Sequence, residues 1–322
     1  MQDRKIKVAR LSVISNTILV ALKLVVGLLI GSVSIISEAI HSGVDLVAAC
    51  IALFSVRTSC IPADAEHPFG HGKVENISGT VEALLIFVAS IWIIYEAVLK
   101  LIHPQPIEYV GWGVIIMLIS AVTNIVVSEK LFKVAKETDS IALHADALHL
   151  RADVFTSVGV MASLAVIWLG HRLFADPNIH WLDPAAALGV AVLIIHAAYR
   201  LTVTAARDLM DVKLPPDEES WIRDLIQAHQ PVIHGFHKLR TRKAGNFRFI
   251  EFHIKMDPEM SVGVSHSITE ELTAGIERRF PNASVTIHTE PCDGRCDEHC
   301  LHGCLLSEPT RNAIRQEDQP AR

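Results

Sequence analysis

The chain has 322 residues and a formal net charge of −6; 50% of its residues are hydrophobic and only 20% are charged. Soluble domains carry about a quarter charged residues and a lower apolar share, so the composition indicates a polytopic membrane protein with a soluble part. The acidic balance argues against a nucleic-acid partner, and six cysteines are too few to staple a fold of this length.

Six apolar stretches of about 20 residues or more follow one another in the first two thirds of the chain, and each is long enough to cross a membrane as a helix. They cover residues 11–33, 35–58, 77–102, 110–132, 141–169 and 182–206. We therefore predict an α-helical transmembrane domain of six helices over residues 11–211, after a cytoplasmic N-terminal segment over residues 1–10.

Lysine and arginine residues are concentrated on one side of these stretches. Arg4, Lys5, Lys7 and Arg10 precede the first stretch, and Arg207 ends the sixth. By the positive-inside rule both termini are expected in the cytoplasm. Two polar residues inside the first stretch, Asn16 and Lys23, are expected to pack against neighbours or to snorkel to the membrane surface.

After Asp211 the sequence becomes charged and mixed, with shorter apolar runs. Its periodicity predicts helix, strand, strand, helix and strand in that order. The clearest elements are a helix over 218–228, a strand over 249–256, a helix over 265–280 and a strand over 285–290. We expect a C-terminal α+β ferredoxin-like domain over residues 212–291, followed by a Cys/His-rich tail over 292–322.

Ionisable residues stand inside two of the apolar stretches, where a charge costs on the order of 3 kcal/mol. The second stretch holds His41 and Asp45, and the fifth holds His149 and Asp153, each pair four residues apart and so on one helix face. Two imidazoles and two carboxylates suit a tetrahedral divalent ion, zinc foremost. The alternative is a His–Asp hydrogen bond within each pair, or an interface position. Glu38 is expected at the entrance or behind the ligands.

The loop after the second stretch contains Asp64, His67 and His71, which could form a small cytoplasmic metal site, with Glu66 as a substitute carboxylate. The alternative is a polar loop whose side chains cap helices.

In the predicted soluble domain, four histidines and one glutamate form a candidate metal site, because His288 and Glu290 share a strand face. The set is His237, His253, His266, His288 and Glu290. A strand histidine can equally be an ordinary surface residue, and His229 and His234 are expected to be that.

The tail spaces four cysteines regularly, with histidines among them. These are Cys292, Cys296, Cys300 and Cys304, interspersed with His299 and His302. Disulfides are not expected in the cytoplasm, so soft-metal ligation is the favoured interpretation and a reduced, disordered tail is the alternative.

Four motifs together resemble the cation diffusion facilitator family, and within it the bacterial ferrous-iron/zinc efflux (YiiP-like) branch. They are Ser37-Glu-Ala-Ile-His41-Ser-Gly-Val-Asp45, His67-Pro-Phe-Gly-His71-Gly-Lys73-Val-Glu75, Leu148-His149-Leu-Arg-Ala-Asp153 and His237-Lys-Leu-Arg-Thr-Arg242. The resemblance covers about residues 5–291, and the cysteine tail has no counterpart in it.

The resemblance implies a homodimer in the bacterial inner membrane, bound by lipid. Its activity would be the efflux of divalent cations driven by proton influx, with divalent metal ions as both substrate and regulator. It implies the transport, loop and cytoplasmic sites named above, a dimer-interface salt bridge of Lys73 with Asp211, and a hydrophobic gate at Leu148. His41 and Glu290 each stand at a position where the bacterial exporters of this branch carry Asp.

Two other function classes compete with an exporter. An intramembrane metalloprotease needs a His-Glu-x-x-His run, and the sequence has none. A metal sensor or scaffold of the same fold would be favoured by loss of a transport ligand, but all four are present. Zinc is the expected substrate, with iron, cadmium, cobalt and nickel left open.

Overall fold

The computed structural model describes residues 2–30, 33–102, 111–173, 181–294 and 298–317. The chain divides into two compact units, Met1–Leu209 and Met210–Arg322, and the division falls close to the predicted domain boundary. Residues 31–32, 103–110 and 174–180, which connect successive helices of the first unit, lie outside the described residues.

The first unit consists of six long α-helices, as predicted. They are α1 (Gln2–Ile30), α2 (Val33–Ser59), α3 (Lys73–Ile102), α4 (Gly111–Thr138), α5 (Ile141–Leu173) and α6 (Leu182–Leu209). Within the described residues, five of them are long and apolar enough to cross a membrane, and α5 is not among these five. The first half of α5 holds Asp146, His149, Arg151 and Asp153, which lower its hydropathy.

Residues 2–10, which belong to the predicted cytoplasmic N-terminal segment, are helical and form the first turns of α1. Their cytoplasmic location stays a prediction. Lys5 is one of the basic residues that precede the first apolar stretch. Its side chain is 2% exposed and forms a buried ion pair with Glu75 of α3. Glu75 also accepts hydrogen bonds from Ser59 at the end of α2 and from Ser140 just before α5. The buried carboxylate of Glu75 on α3 therefore connects α1, the end of α2 and the start of α5.

Small residues let the six helices pack closely. Ala83, Ala145 and Ala205 form one buried cluster between α3, α5 and α6. Gly79 lies at the same junction, where an added Cβ would stand 2.7 Å from the Ile141 side chain. Close backbone approach through small residues is how membrane helices associate, because lipid provides no hydrophobic drive between them.

The second unit has the predicted α-β-β-α-β order. Its elements are α7 (Pro216–Gln227), β1 (Gly235–Ala244), β2 (Phe247–Met256), α8 (Val262–Arg279) and β3 (Ala283–Pro291). The sheet order is β1-β2-β3, with β1 antiparallel and β3 parallel to β2. The predicted small α+β domain is confirmed. Two short helices follow in the tail, α9 (Glu298–His302) and α10 (Glu308–Glu317).

Local sequence explains how this unit folds. Pro216 opens α7 at its first position, where a missing N–H costs nothing, and the Ser261 hydroxyl accepts the Val264 N–H to cap α8. On β2, Ile250, Phe252 and Ile254 alternate on the buried face, as predicted. The opposite face of the same sheet is left for polar side chains.

Candidate metal centres

The two predicted His–Asp pairs of the membrane unit come together where α2 contacts α5. His149 Nε2 lies 3.0 Å from Asp45 Oδ1, and His41 Nε2 lies 3.9 Å from Asp153 Oδ1. The contacts therefore run crosswise between the helices, and not within each pair as the alternative interpretation required. His41, Asp45 and Asp153 each present a ligand atom within 4.8 Å of the other two. We call these three residues together with His149 the crossed site.

One end of the crossed site is buried and the other is open. The His149 and Asp45 side chains are 6% and 5% exposed, whereas Asp153 is 21% and His41 is 54% exposed. Asp153 Oδ2 and His149 Nδ1 are buried and have no hydrogen-bond partner in the described part of the chain. A buried carboxylate oxygen without a partner is costly, and a bound cation or a proton donor would satisfy it.

Three further ionisable residues surround this site and were missed as functional candidates. Lys23 of α1 is 5% exposed and donates to the Ser42 hydroxyl at 2.8 Å, so it is buried beside the site and does not snorkel. Glu82 of α3 and Asp146 of α5 are fully buried and interact electrostatically with His149. The rule that found His41 and Asp45, a charge within an apolar stretch, would have found Glu82 and Asp146 too.

Two other predicted positions flank the crossed site. Leu148 is partly buried and packs on the cluster of Ala83, Ala145 and Leu201 between α3, α5 and α6. Leu148 precedes His149 in the sequence of α5, and its gating role stays a prediction. The Glu38 side chain lies outside the described residues.

The predicted loop residues Asp64, His67 and His71 also lie together, with one ligand atom from each within 4.8 Å of the others. His67 Nδ1 is 3.5 Å from Asp64 Oδ1, and His71 Nε2 is 3.6 Å from Asp64 Oδ2. His71 is the most buried of the three, and its Nδ1 has no hydrogen-bond partner among the described residues. The exposed loop therefore offers two imidazoles on opposite oxygens of one carboxylate.

Asp64 also shapes its own loop, although it caps a turn within the loop and not, as the alternative interpretation proposed, a helix. Its Oδ1 accepts the backbone N–H of His67 at 2.6 Å and that of Glu66 at 3.0 Å. The His67 hydrogen bond is the main reason that the pKa of Asp64 lies below its ordinary value. The carboxylate is thus ionised and fixed in place, which a ligand needs, and the metal site in this loop stays a prediction.

Three histidines of the second unit stand side by side across the sheet. His237 on β1 is in register with His253 on β2, which is in register with His288 on β3. Their ring centroids are 5.2 Å and 4.6 Å apart. We call this set the histidine row. Register across three strands, and not spacing along one, brings these residues together.

Glu290 lies at the centre of the histidine row. Its Oε1 is 2.7 Å from His253 Nδ1 and its Oε2 is 3.3 Å from His237 Nε2, while Lys255 Nζ lies 3.6 Å from Oε2. Burial alone would raise the pKa of Glu290, but the His253 hydrogen bond and the charges of His237 and Lys255 bring it below its ordinary value. Burial also lowers the pKa of His237, which favours the neutral imidazole that metals need.

Not every predicted cytoplasmic ligand joins this group. His237, His253 and Glu290 have ligand atoms within 4.8 Å of one another, and His288 Nε2 is 3.9 Å from Glu290. His266 is exposed on α8 and, within the described residues, belongs to no such group.

The tail and interface residues also have defined positions. Cys292 and Cys300 are buried and Cys304 is partly buried, while Cys296 lies outside the described residues. His234, predicted to be a surface residue, lines a cavity with these cysteines.

Asp211 is 3.4 Å from Arg242 within the second unit, so its salt bridge with Lys73 stays a prediction.

Comparison with known proteins covers both units. The family model of the cation efflux transmembrane domain matches residues 9–210, and that of the cation efflux protein cytoplasmic domain matches residues 214–292. A protein of Citrobacter koseri named cation-efflux pump FieF is 34% identical over 262 residues, which are 81% of this chain and 84% of that protein. The uncharacterized transporter sll1263 of Synechocystis is 35% identical over 82% of this chain and 83% of its own length.

Solved structures match the second unit. The metal-bound C-terminal domain of the CzcD transporter from Thermotoga maritima is 31% identical, with 24% of this chain and 94% of that chain covered and a TM-score of 0.22. The cytosolic domain of a cation diffusion facilitator family protein is 30% identical, with 24% and 98% covered and a TM-score of 0.22.

Proposed function

Because the chain belongs to the cation diffusion facilitator family, we propose that it exports Zn²⁺ from the bacterial cytoplasm in exchange for protons. Members of this family are transporters, and the chain is an integral membrane protein for the efflux of divalent metal cations. The zinc preference, the proton coupling and the placement of both termini in the cytoplasm are the parts that we propose.

The crossed site is the observation that carries this proposal. Its donors are two imidazoles and two carboxylates, which favour a borderline-soft tetrahedral ion over Mn²⁺ or Mg²⁺, ions that prefer six oxygens. The two carboxylates offset the charge of a divalent ion that would otherwise stand unpaired among apolar helices. The unpartnered Oδ2 of Asp153 supports a cation as the missing partner.

The same donors account for proton exchange. An imidazole binds a metal only in its neutral form, so His41 and His149 must lose any bound proton when Zn²⁺ enters. Protons arriving from the other side of the membrane compete for those nitrogens and displace the ion. Alternating exposure of a fixed site near the middle of the membrane then couples the two flows. In this scheme Leu148, which packs between α3, α5 and α6, closes the path on one side.

The other two sites would act from the cytoplasm. The fixed carboxylate of Asp64 with His67 and His71 suits an exposed site where metal first binds. The histidine row suits a resident regulatory metal, because three imidazoles already surround Glu290. We propose that this metal stabilises the second unit within a homodimer, with Lys73 and Asp211 at the dimer interface.

Zinc flux into vesicles tests the proposal. We expect vesicles that contain the purified protein to accumulate Zn²⁺ faster when a pH gradient is imposed, and Mn²⁺ much less. Asp153→Ala should reduce zinc flux to that of protein-free vesicles, while Glu96→Gln, which removes an exposed carboxylate on α3, should leave it unchanged. Near-normal zinc flux in Asp153→Ala would show that the ion passes elsewhere.

A further inference from the structure

The cysteine tail is folded against the start of β1. The Phe236 N–H donates to the Gly303 carbonyl at 2.9 Å, and the Leu305 N–H donates to the His234 carbonyl at 2.9 Å. Gly303 has no room for a side chain, because an added Cβ would overlap the Phe236 carbonyl group. The sequence thus allows the tail backbone to lie directly on the strand.

This docking gathers the tail cysteines at one small cavity. Cys292 directly follows β3 and donates its N–H to Met256 at 2.7 Å, while Cys300 and Cys304 flank the turn at Gly303. All three cysteines and His234 line a cavity of about 10 Å³. That volume is about the space that one water molecule needs.

Two buried polar atoms at this cavity have no hydrogen-bond partner within the described residues. They are His234 Nδ1 and Arg311 Nε. The His234 backbone is already satisfied on both sides, by Lys255 and by Leu305, so its ring is held at the cavity wall. Arg311 and Lys255 line the same cavity and place positive charge there.

We propose that Cys292, Cys300, Cys304 and His234 form a thiolate site for one soft or borderline-soft metal ion, such as Zn²⁺. Three thiolates and one imidazole match the Cys₃His set of structural zinc sites. Three thiolates around a divalent ion leave one net negative charge, which Arg311 and Lys255 offset. The site relies on the proposed cytoplasmic location, where thiols stay reduced, and does not rely on the transport activity.

Metal binding at this site would draw the cysteines closer together than they lie in the folded tail. Within the described residues, these four ligand atoms do not form a group confined to 4.8 Å. His237 lines the same cavity and contacts Glu290 of the histidine row at 3.3 Å. The tail site is thus adjacent to the histidine row but has chemically different ligands.

Cobalt separates this site from the other three, because only thiolate ligands give cobalt–sulfur charge-transfer absorption. We expect the full-length protein, reduced and in detergent, to show that absorption when Co²⁺ is added and to lose it when Zn²⁺ is added. The double variant Cys300→Ser with Cys304→Ser should lose the band and bind about one Zn²⁺ fewer per chain. The matched double variant Cys50→Ser with Cys60→Ser should keep both. Absence of the band in the wild-type protein, or its persistence in the tail variant, would overturn the proposal.

Alkylation of the wild-type protein tests the same site without any substitution. Zn²⁺ should protect Cys292, Cys300 and Cys304 from iodoacetamide under reducing conditions, while Cys60 reacts equally with and without the ion. Equal labelling of the tail cysteines in both conditions contradicts a thiolate site. Zinc flux of the tail variant should match wild type, so failure here leaves the transport proposal standing.

Discussion

The membrane unit and the C-terminal unit both place histidines around carboxylates, but they do so with different secondary structure. In the membrane unit, a four-residue spacing on two helices places each histidine opposite the carboxylate of the other helix. In the C-terminal unit, strand register aligns three histidines around the single carboxylate of Glu290. The helical site can therefore be read from spacing along the chain, whereas the sheet site requires the pairing of distant segments.

The buried end of the crossed site is less exposed than the histidine row, and we expect this difference to set the roles of the two sites. Asp45 is 5% exposed, whereas Glu290 is 24% and His288 is 63% exposed. An ion at the buried site needs its charge neutralised by the ligands, because the surroundings have a low dielectric constant. An ion at the exposed site can be partly solvated. Loss of one carboxylate should thus abolish the first function and only weaken the second.

The largest expected effect comes from replacing one carboxylate in each of the two sites. Asp45→Asn and Glu290→Gln make the same chemical change, from carboxylate to amide. We expect Asp45→Asn to reduce zinc flux in vesicles to background, since the neutral amide cannot offset the charge of the ion. Glu290→Gln should keep most of that flux and lose only part of the stabilisation that Zn²⁺ gives the wild type, which is about 2.7 kcal/mol at 100 times the dissociation constant.

The control for this pair is the number of ions bound. Glu290→Gln should bind fewer Zn²⁺ per chain than the wild type. With a chelator present, the variant and the wild type should have the same stability. If Glu290→Gln transports at background and Asp45→Asn does not, the assignment of the two sites is reversed.

Ion pairs give the second contrast between the two units. Lys5→Ala leaves Glu75 buried without its cation, which we expect to lower the free energy of unfolding by about 3–5 kcal/mol. Lys213→Ala removes a cation that is 67% exposed beside Glu219, and should cost about 1 kcal/mol or less. Denaturant unfolding in mild detergent measures both, with Lys7→Ala as the exposed control on α1. Equal losses for the Lys5 and Lys7 variants would contradict the buried pair.

The smallest expected effect concerns metal preference. His41 is the most exposed ligand of the crossed site, so its side chain can change without disturbing the helix packing. We expect His41→Asp to shift the ratio of zinc to cadmium or ferrous-iron transport by about ten-fold, because an oxygen replaces a nitrogen donor. Flux measured with each metal in the same vesicles gives this ratio. An unchanged ratio would mean that His41 does not contact the ion.

Sequence patterns predicted the helices, the α-β-β-α-β order and the residues of the crossed site because each depends on local periodicity or spacing. Apolar length identified the membrane helices, and alternation on β2 identified the buried Ile250, Phe252 and Ile254. His41 and Asp45 stood out because a charge is rare in an apolar helix.

What the sequence left open depends on contacts between distant segments. Lys5 resembles a loop charge until α3 places Glu75 beside it. His234 resembles a surface residue until the tail, about 70 residues later, covers it through backbone hydrogen bonds that no side-chain pattern reveals. His266 carries the same chemistry as His253, but it is exposed on α8 and, among the described residues, belongs to no group of metal-ligating side chains. Tertiary packing decides each of these cases.

A zinc-edge anomalous difference map of the zinc-loaded protein tests the central claim most directly. The crossed arrangement predicts a peak between α2 and α5, within bonding distance of His41, Asp45, His149 and Asp153. The protein sample should be shown to transport Zn²⁺ before it is crystallised. Peaks at the histidine row with no density between α2 and α5 would then contradict the crossed arrangement.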